Sequence, residues 1–157
     1  MKKNIGGWAL IACAAFLLAA CGQAETPHIV CGSDWIKNYA AVVDTGSVFR
    51  ISDPLVIQFR YGKAFDFGEL EWNVYKGTFT QKNPAPVLSR TARVSDKEGS
   101  YTIQGVSLRG GLMTAGELLR STDPGDYVIE FSVSGKVIAA KEMKLIRNSD
   151  PKPGDAQ

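Results

Sequence analysis

The chain has 157 residues, with 18 Lys and Arg against 16 Asp and Glu, a formal net charge of +2. That length suits one domain with a real core and is too short for two. The small charge, with neither a basic stripe nor an aromatic-interleaved arginine cluster, excludes a nucleic-acid footprint. The one histidine, His28, removes histidine-based zinc sites, Ser-His-Asp triads and most histidine-centred acid/base schemes from the folded region.

Met1-Lys2-Lys3 opens the chain with positive charge, and Ile5 to Ala20 follows as an apolar run without a charged residue. This is the plan of a secretory signal peptide over residues 1–20, and the run is shorter than a transmembrane helix wants. It closes on Leu18-Ala19-Ala20-Cys21, which resembles the bacterial lipobox. The resemblance implies cleavage before Cys21, lipidation of Cys21 and attachment to a membrane through that lipid, with palmitate among the acyl chains. Two or more acyl chains suffice for stable anchoring. Gly22, rather than Asp, follows the cysteine. By the same resemblance, the expected destination is the outer membrane of a bacterium with two membranes. Lys2 and Lys3 leave with the signal and no acid does, so the remaining basic and acidic residues balance.

From Cys21 to Gly32 the chain reads as a lipidated tether, with Gln23, Glu25, Thr26 and Pro27 offering little apolar periodicity. Cys13 goes with the signal and Cys21 takes lipid, which leaves Cys31 alone. A lone cysteine outside the cytoplasm either stays buried as a small hydrophobe or bridges to another chain. His28 and Cys31 have the separation of a base and a nucleophile, but a tether lacks the rigid scaffold such a pair needs.

The folded region is expected over residues 33–147. Asp34 to Val42 fits a short helix, with Trp35, Tyr39 and Val42 on one side, while Ala40 to Val43 also suits a strand. Alternation marks strands at 55–61, 69–74 and 127–133, and Ser134-Gly135 turns the chain into another at 136–146. Further strands are expected at 48–51, 87–94 and 100–108. Thr114-Ala115-Gly116-Glu117 has the spacing of a capping box and predicts a single-turn crossover helix. Residues 148–157 hold no core former and are expected to form a disordered tail. Seven short strands separated by Gly, Pro and Asp turns predict an all-β antiparallel sandwich.

The segment Asp123-Pro124-Gly125-Asp126-Tyr127 resembles the corner that leads into the sixth strand of immunoglobulin-like and fibronectin-like domains. The resemblance implies that the Tyr127 hydroxyl bonds back to the corner's backbone and that Trp72 is the core tryptophan. It further places Ile57 and Ile129 at the inter-sheet positions that antibody domains fill with cysteines. The fold assigns no function by itself.

The chemical motifs are thin. Asp44-Thr45-Gly46 spells an aspartic protease triplet in a single copy, and Asp66-Phe67-Gly68 spells a kinase triplet without its companions. Both read as turns. Glu69 and Glu71 fall on one face of their strand, where they keep a solvated surface wet. No catalytic residue, cofactor or metal site is expected. The favoured expectation is a non-catalytic binding or assembly module in the cell envelope, presenting loops or a sheet edge to a protein partner. One alternative is an inhibitor or exclusion lipoprotein that blocks an incoming enzyme or transfer apparatus through the stretch Lys76 to Pro86. The other is a carboxylate-dependent hydrolase using Asp44, Asp66 or Glu69.

Overall fold

The computed structural model describes residues 25–155. The expected signal peptide, Cys21 and the first part of the expected tether lie outside the described residues. The elements run β1 (His28–Ile36), a 3₁₀ turn (Lys37–Tyr39), β2 (Ala41–Thr45), β3 (Val48–Arg50), β4 (Val56–Arg60) and β5 (Glu69–Lys76). They continue with β6 (Leu88–Arg93), β7 (Ser100–Ile103), the helix α1 (Ala115–Leu119), β8 (Gly125–Val133) and β9 (Lys136–Ile146).

The fold is an all-β sandwich consistent with the immunoglobulin-like class. One sheet has the order β2-β1-β4-β7 and the other β3-β9-β8-β5-β6. Pairing is antiparallel except for the short β3, which runs parallel to β9. The alternation read from the sequence decides which side chains meet between the sheets, because successive strand residues point to opposite faces. Phe59 of β4 stacks on Phe131 of β8 with ring centroids 4.9 Å apart. Leu70, Trp72 and Val74 of β5, with Tyr127 and Ile129 of β8, fill the same buried cluster. Ile57 and Ile129 are both fully buried. Beyond the rows of the strands, the Tyr127 hydroxyl donates to the Asp123 carbonyl at 2.8 Å and lies 2.6 Å from the Ser121 hydroxyl. Both partners stand upstream of β8, so this ring ties the corner to the core.

The outer face of β4 is covered as well: Val56 is fully buried and Gln58 nearly so. The cause is a sharp bend at Gly32, where β1 stops pairing with β4 and its remainder pairs with β2. A side chain there would put its β carbon 2.3 Å from the Val43 carbonyl oxygen. The β1–β2 hairpin therefore folds back across β4. Val42 is buried, and the Gln58 amide donates to the Ala40 carbonyl at 3.0 Å and to the Thr102 hydroxyl at 3.2 Å. The Arg60 Nε in turn donates to the Gln58 side-chain oxygen at 2.8 Å. A buried amide with its polar atoms bonded in this way is tolerated without penalty.

Several expectations are corrected. The tether expected over 21–32 ends before Gly32, because His28 already opens β1 and residues 28–32 pair with β4. The segment 34–42, open between helix and strand, divides into the end of β1, the 3₁₀ turn and the start of β2. The strand expected over 100–108 stops at Ile103. The tail expected to be disordered is docked as far as Asp155. Lys152 pairs with Asp53, Arg50 pairs with Asp155, and the Arg50 Nε donates to the Asp150 carbonyl at 3.2 Å. That segment lacks apolar residues, but charged hydrogen bonds to the β3 region hold it instead.

Candidate functional site

β4 runs from one end of the sandwich to the other, and the two ends differ. At the amino end, His28 pairs with Arg60 and Arg60 with Ser100, and the Glu25 carbonyl packs against Gly62. At the far end lie α1, the corner before β8 and the segment after β7.

That last segment forms a small hairpin. Its base is fixed to the start of β4, since the Met113 amide donates to the Gly105 carbonyl at 2.8 Å and the Leu55 amide to the Met113 carbonyl at 3.0 Å. Val106 bridges to Leu112, the Ser107 amide donates to the Gly111 carbonyl at 3.0 Å, and the Gly110 amide donates to the Ser107 carbonyl at 2.9 Å. Gly110 and Gly111 take φ of 86° and 77°, values that L side chains rarely adopt. Along the hairpin Ser107 points in and is buried, while Val106 is 80% exposed and Leu108 fully exposed.

The capping box holds this loop. The Thr114 hydroxyl accepts from the Glu117 amide, and the Glu117 carboxylate accepts from the Thr114 amide at 2.8 Å. The other oxygen of the same carboxylate accepts from the Ser107 hydroxyl at 2.9 Å, and that hydroxyl accepts from the Arg109 amide at 3.3 Å. The Thr114 amide, followed by the Ser107 hydroxyl, holds Glu117 below its ordinary carboxylate pKa. One side chain thus both starts α1 and braces the hairpin. Two aliphatic side chains are displayed on a backbone whose shape is already set, which lowers the ordering cost of binding.

The other expected surface elements are less suited to contact. The stretch Lys76 to Pro86, the blocking element of the inhibitor alternative, folds back on the outer face of the second sheet. Lys82 pairs with Glu130 and lies 4.5 Å from the Tyr75 ring centroid, and the Phe79 amide bonds the Glu142 carboxylate. Residues 79–86 are all exposed, and Phe79, at 54%, is the large apolar side chain among them. The open edge at β6 carries Arg90 on the inward-facing row with Leu88 and Ala92, opposite Trp72, and Pro84 and Pro86 precede it. Inward charges and prolines are devices that discourage strand addition.

The sequence-predicted site residues lie apart from the hairpin. Asp44 stands one residue before the end of β2 at φ 50° and accepts weakly from the Ser33 hydroxyl at 3.5 Å. Asp66 accepts from Lys63 at 2.6 Å and from the Tyr61 hydroxyl at 2.8 Å, and Lys63 first, then Tyr61, holds its carboxyl below the usual range. Glu69 faces solvent opposite Arg93, and Glu71 accepts from Ser132 at 3.4 Å. Each carboxylate has its own neighbours. Among the described residues, no three His, Cys, Asp or Glu side chains are gathered as a metal site.

Cys31 is 1% exposed, and burial pushes its thiol up to about 12. Cys31 is thus enclosed within this chain, and a bridge to another chain would need a thiol that can be reached and ionised. His28 bonds the Thr26 carbonyl through Nδ1 at 2.9 Å. Three residues apart on one strand, His28 and Cys31 point to opposite faces, so they form no pair.

The hairpin itself escaped the sequence reading, because Val106 and Leu108 alternate with polar neighbours like strand residues. The contrary signal was Gly105 before them and Gly110-Gly111 after them.

No family model and no curated protein matches the chain. A solved structure similar to it is the soluble domain of PmoD from a Methylocystis species. The two share 12% identity at a TM-score of 0.44, over 76% of this chain and 90% of that one.

Proposed function

We propose that the chain is a cell-envelope lipoprotein, anchored through lipid on Cys21 and acting by protein contact rather than catalysis. Its binding element is the Val106–Leu112 hairpin. The observation that carries the contact role is the full exposure of Leu108 on a loop braced by Glu117 at the end opposite the start of β1. Exposed aliphatic side chains on a loop whose shape is already set can be covered by a partner at a low ordering cost. The anchoring role rests on the charged start, the apolar run and Leu18-Ala19-Ala20-Cys21. Gly22 after the cysteine supports the outer membrane as the destination. The separate neighbours of Asp44, Asp66 and Glu69 favour contact over the hydrolase reading, since acid/base work needs carboxylates that share a site.

Two measurements test this. Wild-type protein is expected to incorporate palmitate and fractionate with membranes, and Cys21→Ala to do neither. A photocrosslinking residue at position 108 is expected to form one reproducible adduct with an envelope protein, and Val106→Asp to abolish it. Palmitate incorporation that is absent, or unaltered by Cys21→Ala, would sink the anchoring role. Adducts at scattered surface positions but none at 108 would sink the hairpin's role.

A further inference from the structure

We infer that the β1–β2 turn, with Ile36 and Tyr39 at its surface, rests on the membrane that holds the acyl chains of Cys21. The inference depends on the lipid-anchored reading proposed above. It begins with Gly32, whose bend carries the tip of the β1–β2 hairpin back toward the amino end. There Tyr39, Ala40 and Ala41 surround one shallow cleft with Glu25, Arg60 and Gly62. Tyr39 is 81% exposed and Ile36 41% exposed. They flank the 3₁₀ turn, Ile36 as the extended residue that enters it and Tyr39 as its last residue.

The length of chain before the structure supplies the occupant. Only four residue steps separate Cys21 from Glu25, a reach of at most about 14 Å. Glu25 is also seated: its carbonyl oxygen lies where a β carbon on Gly62 would come within 1.8 Å. Gly62, at φ 83°, tolerates that approach because it has no side chain. A short leash fixed to the amino end brings the bilayer surface to that end and to no other. Tyrosine suits the place, since its ring sits among headgroups with the hydroxyl toward water, and Lys37 can lie beside it with its charge in solution.

The charge at this end is mixed. Lys37, Arg60, Lys63 and Lys97 stand with Glu25, Asp66, Asp96 and Glu98. The contact is therefore apolar and interfacial, with little dependence on anionic lipid or salt. Because the acyl chains already anchor the protein, the turn does not supply affinity. It sets the tilt of the sandwich and sends the Val106–Leu112 hairpin away from the bilayer toward its partner.

The test uses the lipidated mature protein in vesicles of phosphatidylcholine and phosphatidylethanolamine carrying headgroup-attached quenchers. An environment-sensitive fluorophore is placed at Asn38→Cys or, at the far end, at Gln104→Cys; the buried Cys31 stays unlabelled. Quenching at position 38 is expected to exceed that at 104 several-fold and to hold when salt is raised. Adding Ile36→Ser with Tyr39→Ser should lower it at least twofold toward the level at 104 while flotation with the vesicles is unchanged; quenching at 38 that the two substitutions leave unaltered would overturn the inference. Equal quenching at both positions in protein that still floats would overturn the inference and leave the lipid anchor standing. A protein adduct formed through position 38 in cells, without quenching in vesicles, would overturn it in favour of a protein contact. Protein that neither floats nor carries palmitate would remove the anchor and the inference together.

Discussion

At the amino end, Tyr61, Phe65 and Phe67 fold their loop down onto Phe59, with ring centroids 5.1 to 6.1 Å apart along the chain of contacts. At the far end, the hairpin holds its shape through hydrogen bonds to a helix start and leaves Leu108 in water. The first loop is an extension of the core. The second is braced by polar contacts and contributes almost no apolar burial of its own. Loss of an aromatic should therefore weaken the whole fold at one end, while loss of an aliphatic side chain should go unnoticed by the fold at the other.

The largest expected effect comes from Phe65→Ala. Phe65 is 2% exposed and stacked on Phe59 at an interplanar angle of 6°. Removing a buried aromatic costs about 3 to 5 kcal/mol, measurable by chemical denaturation. A loss under about 1 kcal/mol, where ordinary surface substitutions fall, would make the loop a surface feature and dissolve the contrast.

Tyr127→Phe comes next and probes a place where the far end does reach the core, beside the buried Ala115 and Leu119 of α1. The ring stays buried while the hydroxyl bonds to Asp123 and Ser121 are lost. The expected loss is about 1 to 2 kcal/mol. No change in the unfolding midpoint would mean that the corner is held by packing alone.

Glu117→Ala should act locally. Amide exchange at Ser107 and Gly110 is expected to rise, with little change at Ile129 or Phe131. Acid should mimic the substitution. A carboxylate held below its ordinary value of 4.5 lends its bracing fully above that value, and loses it as pH falls through the lowered folded value. A protection factor at Ser107, exchange relative to the free amide at the same pH, that stays flat from neutral pH to well below 4.5 would show that the loop does not depend on this carboxylate.

What could be read from the sequence divides along the same line. The strands β4, β5, β8 and β9, the capping box and the tyrosine corner are legible because each is written in neighbouring residues: a period of two, a Thr and a Glu three apart, a Tyr after a Pro-Gly turn. The start of β1 is not. His28 to Gly32 shows little alternation, and it becomes strand by pairing with β4, which lies more than twenty residues on. Cys31 is buried for the same reason, with β1 and its neighbours closing over it. The tail is held by ion pairs to Arg50 and Asp53, which no composition rule anticipates. The hairpin inverts the lesson. Its local pattern is that of a strand, and it stays exposed because the glycines turn it away from the strand beside which it would have been buried.

Leu108→Ser carries the smallest expected effect on the fold and is the sharpest test of the contrast. The side chain is fully exposed, so its removal takes away no burial. The backbone is held by Ser107, Gly110 and Gly111 and does not need it. Stability should change by no more than about 0.5 kcal/mol, the range for surface positions that carry no special feature. The adduct formed through a crosslinker at a neighbouring position such as Arg109 should nonetheless fall sharply. An aliphatic side chain buried at an interface has its worth in the complex alone, and the braced loop adds no ordering cost that the substitution could relieve. A residue that matters to the partner and not to the fold is the signature of a contact site. Destabilisation by more than about 1 kcal/mol would instead place Leu108 in a packing role, and an unchanged adduct would move the contact elsewhere on the far end.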